Sequence, residues 1–190
     1  MLAGGLSAFS ASAQGFHDAP GKTQRPAPHG RPDDLDALFA ALKAAPDTEA
    51  AKAIADRIWA RWLISDSDTT NLLMSRASAA IAADDFDLAM KLLDAVIVIR
   101  PDYVEAWNRR ATLYYMQKDY ERSLADIRQI LAREPRHFGA LAGLGMIMQE
   151  LGDDRRALNV YRRLLEVHPQ MQGIAERVRT LTEKVEGRNI

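Results

Sequence analysis

The sequence has 190 residues, of which 47% are hydrophobic, 27% charged and 7% aromatic. This composition is that of an ordinary globular protein, and it excludes collagen-like and wholly disordered chains. Because the chain has no cysteine, a disulfide framework, a thiolate nucleophile and a zinc ribbon are also excluded. The 25 basic and 26 acidic residues give a net charge of -1. Since nucleic-acid-binding proteins carry a basic excess, we expect no nucleic-acid partner.

The first segment, residues 1–13, has the pattern of a truncated signal peptide. An apolar stretch runs from Leu2 to Phe9, and Ala11-Ser12-Ala13 follows it with the small-x-small pattern that signal peptidases accept. No basic residue precedes the stretch, so an N-terminal tail of a cytoplasmic protein is the alternative. No later segment approaches the about eighteen apolar residues of a membrane-spanning helix. We therefore expect a soluble protein that is exported to the periplasm.

The second segment, residues 14–32, reads QGFHDAPGKTQRPAPHGRP and holds four prolines and three glycines. A segment of this composition buries too little apolar area to offset the entropy of ordering, and its prolines favour extended conformations. We predict a disordered linker here.

The third segment, residues 33–66, predicts a helical hairpin. Apolar residues recur at helical spacing in two runs that are separated near Pro46. The runs are Leu35, Leu38, Phe39 and Leu42, and then Ala51, Ile54, Ala55, Ile58 and Trp62.

A repeat of 34 residues follows. Aligning residues 70–103, 104–137 and 138–171 without gaps places Pro101, Pro135 and Pro169 in one column. With 8 prolines in 190 residues, the chance that two further prolines agree with the first is about 0.002. Three more columns agree in residue type: Asp85, Asp119 and Asp153; Ala89, Ser123 and Ala157; and Ala77, Ala111 and Gly145.

Each 34-residue unit divides into two amphipathic helices. The aspartate column predicts the N-caps of the second helices, because a carboxylate there accepts a free N–H of the first turn. The proline column predicts where these helices stop, because proline cannot continue a helix. The two columns of small residues predict a close approach between the helices of each unit.

These spacings resemble the tetratricopeptide repeat (TPR) family, and in particular small exported TPR proteins of bacteria. The resemblance implies an all-α fold, namely a right-handed α-solenoid of antiparallel helix pairs. The first unit has Leu73 and Ala80 in place of the family's tryptophan and tyrosine, so it matches least. The resemblance rests on Trp107, Ala111, Tyr114, Ser123 and Pro135 in the second unit, and on Leu141, Leu144, Gly145, Ala157, Tyr161 and Pro169 in the third.

Both ends of such a stack need covering, because each unit buries its apolar faces only against its neighbours. We expect the hairpin of residues 33–66 to be a degenerate repeat that caps the N-terminal end and shields the apolar side of the first unit. Residues 172–190 predict a C-terminal capping helix. Its apolar stripe consists of Ile174, Val178, Leu181 and Val185.

The sequence predicts no catalytic, metal or cofactor site. Gly143-Leu144-Gly145 lies inside a helical pattern rather than after a strand, so it is no dinucleotide loop. No serine stands in a G-x-S-x-G context. No H-x-x-x-H or H-E-x-x-H motif includes the four histidines, which are His17, His29, His137 and His168.

The family resemblance implies that the first helices of the units line a concave groove for a peptide or protein segment. Members that grip the C-terminal carboxylate of chaperone tails use a clamp of lysines, asparagines and an arginine. Only Arg109 matches that clamp, since Met74 and Ala142 stand at other positions expected to be polar, so we do not expect this subtype. The predicted lining is Asn71, Met74 and Ser78; Glu105, Asn108, Arg109, Thr112 and Tyr115; and Ala142, Met146 and Gln149.

The leading functional prediction is therefore a non-enzymatic adaptor or scaffold of the bacterial cell envelope, without a cofactor, that holds a protein or peptide in its groove. One alternative is a structural subunit that packs permanently into an envelope complex. Another is a cytoplasmic accessory regulator of an enzyme or chaperone, which requires that residues 1–13 are no leader.

Overall fold

The structure, a computed structural model, describes residues 34–187, and over this range it contains nine α-helices and no strand. The all-α prediction is thereby confirmed. The signal peptide and linker predicted for residues 1–13 and 14–32 lie outside the described residues. The helices are α1 (Leu35–Lys43), α2 (Thr48–Leu63), α3 (Asp68–Ala82), α4 (Phe86–Ile99), α5 (Val104–Met116), α6 (Tyr120–Arg133), α7 (Phe138–Glu150), α8 (Asp154–Val167) and α9 (Ile174–Glu186).

The second helix of each repeat begins at its predicted capping aspartate. The side chains of Asp85, Asp119 and Asp153 accept a hydrogen bond from the backbone N–H three residues later, at 3.0, 3.1 and 3.0 Å respectively. The same helices, α4, α6 and α8, each end two residues before the proline of their repeat. The predicted starts and stops are both confirmed.

The two helices of each repeat approach closely at the predicted small residues. In the third repeat, a Cβ atom on Gly145 would overlap the ring of the buried Tyr161, so only glycine fits beside that ring. In the second repeat, the hydroxyl of Ser123 donates to the carbonyl of Ala111 at 2.8 Å. The small residues therefore set the separation of the paired helices, as expected.

The second repeat has Arg110 at the position where the third repeat has the apolar Leu144. Arg110 of α5 donates to both carboxylate oxygens of the buried Asp126 at 2.8 Å, and to Asp94 at 2.6 Å. The hydrogen bonds that Arg110 donates to Asp126 are the main reason that the pKa of Arg110 is raised. The guanidinium thus joins α4, α5 and α6, and the two carboxylates compensate its charge at this partly buried position.

The N-terminal hairpin does not lie where the sequence analysis placed it. Its helix α1 packs against α8 and its helix α2 packs against α5, rather than both covering the first repeat. Its apolar residues share one core with α5 to α9, whereas a second core belongs to α3, α4 and the adjoining side of α5. The prediction that residues 33–66 cap the N-terminal end of the stack is therefore wrong.

Aromatic side chains explain this placement. The Trp62 ring stacks on the His137 ring with centroids 4.1 Å apart, and Trp59 meets Phe138 edge-on at 5.3 Å. A Cβ atom at Gly139 would lie 2.8 Å from the Trp59 ring, so this glycine makes room for the tryptophan. The first repeat offers the hairpin no aromatic cluster of this kind.

Two hydrogen bonds also hold the hairpin against the repeats. Asp36 accepts a hydrogen bond from Arg136 at 2.6 Å, although the two residues are 100 positions apart. The Tyr103 hydroxyl donates to the carbonyl of Leu63 at 3.0 Å. Burial raises the pKa of Tyr103 to about 12, so the phenol keeps its proton over the physiological pH range.

The turns between paired helices provide a first prediction. Asp84, Lys118 and Gly152 occupy the same repeat position and have φ of 56°, 60° and 75°. A side chain costs about 1 kcal/mol in this left-handed conformation, so Lys118→Gly should raise the free energy of unfolding by about that amount. Urea titration measures the change. The reciprocal variant Gly152→Ala should lose about the same amount, and a loss of stability in Lys118→Gly would contradict the prediction.

The position of the hairpin provides a second prediction. Trp62 is 6% exposed and packs on the third repeat, so Trp62→Ala should lower the free energy of unfolding by about 3–5 kcal/mol. The neighbouring Leu63 is 43% exposed, and Leu63→Ala serves as the control with a change below about 1 kcal/mol. Chemical denaturation followed by circular dichroism compares the two. Equal small effects would show that the hairpin does not contribute to the core.

Candidate functional site

A groove runs between the first helices of the second and third repeats. Its centre is an apolar cavity of about 190 Å³ between α5 and α7, with Ile127 of α6 at its floor. A second, polar recess of about 300 Å³ continues toward α9 and shares Tyr115 and Met146 with the first. These two spaces form one continuous surface, which we call the groove.

Six of the eleven residues predicted to bind a partner line the groove. Five border the central cavity, and Gln149 borders the recess toward α9. All six are at least partly exposed. The five at the cavity are Asn108, Thr112, Tyr115, Ala142 and Met146.

Three further predicted residues, Asn71, Ser78 and Arg109, lie toward the first repeat. Arg109 reaches back from α5 and donates to the Ser78 hydroxyl, which in turn donates to the carbonyl of Met74 at 2.9 Å. The amide of Asn71 donates to the carbonyl of Ser65 at 3.1 Å. These side chains extend the groove but do not border its cavity.

Two predicted residues do not reach the surface. Met74 is 5% exposed and belongs to the core of the first repeat, and Glu105 is 2% exposed. The prediction that they face a partner is wrong for both, because helical spacing gives the direction of a side chain but not what packs over it.

Glu105 instead supports the groove from below. Its carboxylate accepts hydrogen bonds from Nε2 of the fully buried His137 at 3.0 Å and from the amide of Asn108 at 3.3 Å. The other ring nitrogen of His137 accepts the backbone N–H of Ala140 at 3.0 Å and so caps α7. Nε2 therefore carries the proton, and the pair links the N-terminal ends of α5 and α7.

Sequence reasoning missed Arg177 of α9, which lines the recess together with Gln149. A signal for it was present, since Arg109, Gly143 and Arg177 are spaced by 34 residues and so share one repeat position. The missing side chain at Gly143 helps to open the cavity, because a Cβ there would face the Ile127 side chain at 3.7 Å. The groove thus has an arginine on each side of a void.

Neither arginine has an acidic ion-pair partner among the described residues. Within residues 34–187, no carboxylate lies within 4.0 Å of the guanidinium of Arg109 or Arg177. Arg177 donates to the Gln149 side-chain oxygen at 3.1 Å, and the Tyr161 hydroxyl donates to the same oxygen at 2.7 Å. Burial raises the pKa of Tyr161, which keeps that donor protonated. The exposed Glu150 stands at the outer rim of the recess.

The hairpin closes one end of the groove. Gly139 borders the cavity and also contacts the Trp59 ring, so α2 lies across the N-terminal end of α7.

The part of the chain that the structure describes contains neither a candidate metal cluster nor a membrane-spanning helix. No group of three His, Cys, Asp or Glu side chains within residues 34–187 is arranged to hold a metal ion. Among the helices α1 to α9, none has the length and apolarity needed to cross a bilayer. What the site presents is an apolar cavity between two hydrogen-bond-donating arginines.

Comparison with known proteins identifies the repeat family. Models of the tetratricopeptide repeat match residues 104–137 and 140–170. A TPR repeat-containing protein of Rhizobium etli is 41% identical over 164 residues, which cover 86% of this chain and 80% of the relative.

Solved structures show the same fold at low sequence identity. The first TPR of Spaghetti (RPAP3), bound to the HSP90 peptide SRMEEVD, has a TM-score of 0.59 at 18% identity, and the match covers 64% of this chain and 96% of that one. The Sgt2 TPR domain from Aspergillus fumigatus has a TM-score of 0.56 at 20% identity, with 63% and 81% covered. From its repeats, its helix pairs and its relative in Rhizobium etli, the chain belongs to the tetratricopeptide repeat family.

Proposed function

We propose that this protein is a non-enzymatic adaptor that binds an extended segment of a partner protein in the groove between α5, α7 and α9. Proteins of this family are generally protein-interaction adaptors and typically not enzymes. The observation that carries the proposal is the open apolar cavity at Gly143, with an unneutralised arginine on each side.

The cavity suits one apolar side chain of the partner. Its walls include Ala111, Ala142 and Ile147, and Met146 at its mouth is a flexible side chain that adapts to different ligands. A space of about 190 Å³ accepts a leucine, methionine or phenylalanine side chain, which supplies affinity by leaving water. The apolar residue is thus the anchor of the bound segment.

The arginines suit acidic residues on both sides of that anchor. Neighbouring helices pack about 8–10 Å apart, so the backbones at Arg109 and Arg177, two helix spacings apart, are separated by about 16–20 Å. An extended peptide covers this distance in about six residues. We therefore propose a segment in which acidic residues stand about three positions before and after an apolar residue.

A structural neighbour supports this chemistry, since the first TPR of Spaghetti is bound to a peptide that contains two adjacent glutamates and an aspartate. In this chain the acidic groups would be side chains within a segment, because only Arg109 matches a carboxylate clamp.

A peptide library tests the cavity. The probes are fluorescent heptapeptides with glutamate at both ends and a varied central residue, and their affinities are measured by fluorescence anisotropy. Gly143→Leu should reduce binding of the leucine-centred peptide at least about tenfold, because the new side chain fills the cavity. The same change should not lower the free energy of unfolding, since it removes a glycine from a helix interior. Unchanged affinity in Gly143→Leu would disprove the anchor site.

Charge variants test the flanking arginines in the same assay. Arg109→Gln and Arg177→Gln should each weaken binding about tenfold, because each removes a charge-assisted hydrogen bond. Arg179→Gln is the matched control on α9, since Arg179 pairs with Glu176 and Glu183 on the outer side of that helix. Replacing the terminal glutamates of the peptide by lysine should abolish the difference between these variants.

The cell envelope as the site of action is also part of the proposal. It rests on the apolar stretch from Leu2 to Phe9 and the small residues Ala11-Ser12-Ala13, which suit export through a signal peptide. An adaptor in the periplasm would meet its partner after both have crossed the inner membrane.

N-terminal sequencing of the native protein tests export. The expected chain begins at Gln14, directly after the small-x-small pattern. A native chain that retains residues 1–13 would instead favour a cytoplasmic accessory regulator. The peptide assay is independent of this result, because the groove lies within residues 34–187.

A further inference from the structure

Within residues 34–187, nothing covers one face of the first repeat. We call the side of α3 and α4 that points away from the second repeat the leading face. Leu72 on α3 is 53% exposed and Leu88 on α4 is 46% exposed. Between the two helices is a shallow apolar hollow of about 410 Å³, whose lining includes Ala79 and Leu92. Because the hairpin packs elsewhere, neither α1 nor α2 covers this face.

The residues of the leading face stand at repeat positions that are buried in the second and third repeats. Leu72 and Ala79 are exposed, whereas the residues at the same two positions of the later repeats pack against the preceding helix pair. Those residues are Ala106, Leu113, Ala140 and Ile147, and each is at most 2% exposed. The first repeat therefore carries an inter-repeat interface without the neighbour that would complete it.

The first repeat also differs from the others in a way that makes this face more apolar. In the second and third repeats, an arginine three residues after the capping aspartate forms an ion pair with it, as Arg122 does with Asp119 and Arg156 with Asp153. At the same position the first repeat has Leu88. The carboxylate of Asp85 consequently has no ion-pair partner within residues 34–187.

A cation on the same face lacks a partner as well. Arg76 stands at the repeat position of Arg110, whose guanidinium binds Asp126 and Asp94. The first repeat has Leu92 in place of Asp126, and no carboxylate of residues 34–187 lies within 4.0 Å of Arg76. The leading face thus combines an apolar centre with one unpaired cation and one unpaired carboxylate.

We propose that the leading face docks on the leading face of a second copy of this chain, which forms a symmetric dimer. A surface that carries Arg76 and Asp85 beside an apolar centre is complementary to itself, because a two-fold axis brings the cation of each copy toward the carboxylate of the other. The apolar side chains Leu72, Leu88 and Leu92 meet across the axis and leave water.

The other end of the stack does not offer a matching surface. The exposed side of α9 carries Glu176, Arg179 and Glu183, whose charges pair with one another on that helix. Head-to-tail stacking would bury these ion pairs against an apolar face, at a high desolvation cost. The face of two helices about 20 Å long lies at the low end of dimer interfaces, so a dissociation constant in the micromolar range is expected.

The experiment compares molar mass by light scattering and sedimentation for the full chain, over about two decades of concentration around 10 µM. The wild type should approach twice the chain mass at the upper end. Leu88→Arg should remain monomeric and raise the dissociation constant at least about 100-fold, because it buries a charge in the interface. This variant should fold normally, since it restores the arginine of the second and third repeats.

Leu151→Arg is the matched control. Leu151 is 55% exposed at the end of α7 in the third repeat, so the same substitution there should leave dimerisation unchanged. Circular dichroism and thermal melting of both variants establish that the fold is retained.

A cysteine variant provides a second measurement, since the natural chain has no cysteine. Ala79→Cys, at the centre of the leading face, should give a covalent dimer with a short bismaleimide, while Thr180→Cys on α9 should not. A wild type that stays monomeric at all concentrations, or a Leu88→Arg variant as dimeric as the wild type, would overturn the proposal. If the wild type is monomeric, residues 1–33 or a different protein would be the remaining candidates to cover the leading face.

Discussion

A repeat helix buries its leading side only when another helix pair precedes it, and this constraint shapes the whole molecule. The second and third repeats satisfy this constraint, because their leading residues are buried against the helix pair before them. These residues are Ala106, Leu113, Ala140 and Ile147. The first repeat does not satisfy it, because the hairpin before it packs on α5 and α8. The position of the hairpin therefore has two effects within residues 34–187: it leaves an apolar face of the first repeat uncovered, and it closes one end of the groove between the later repeats.

The groove depends on what stands at a single repeat position. Arg109, Gly143 and Arg177 follow one another at 34-residue intervals, and the glycine leaves a cavity between two cations. Beneath it, the buried pair of Glu105 and His137 joins the helix ends that form the walls. The shape and the charge of the groove thus both depend on one repeat position, which holds an arginine, a glycine and an arginine in turn.

The sequence predicted what depends on local spacing. The caps at Asp85, Asp119 and Asp153, the ends of the helices before the prolines and the small residues between paired helices are all confirmed. Periodicity shows which side of a helix is apolar, but not which distant surface covers it. The hairpin was therefore assigned to the nearest repeat, although its tryptophans pack on His137 and Phe138. The burial of Met74 and Glu105 was missed for the same reason, whereas Arg177 could have been found by extending the repeat into α9.

The contact between Asp36 and Arg136 joins residues 100 positions apart, which is unusual in an architecture built from neighbouring units. During synthesis, the hairpin emerges before its docking surface on α7 and α8. The aromatic rings of the hairpin consequently spend that interval without their partners. Folding of this chain thus includes a long-range closure step, which slows it relative to stacks whose units pair in order. That interval is also when a chaperone or a second nascent chain has access to the tryptophans.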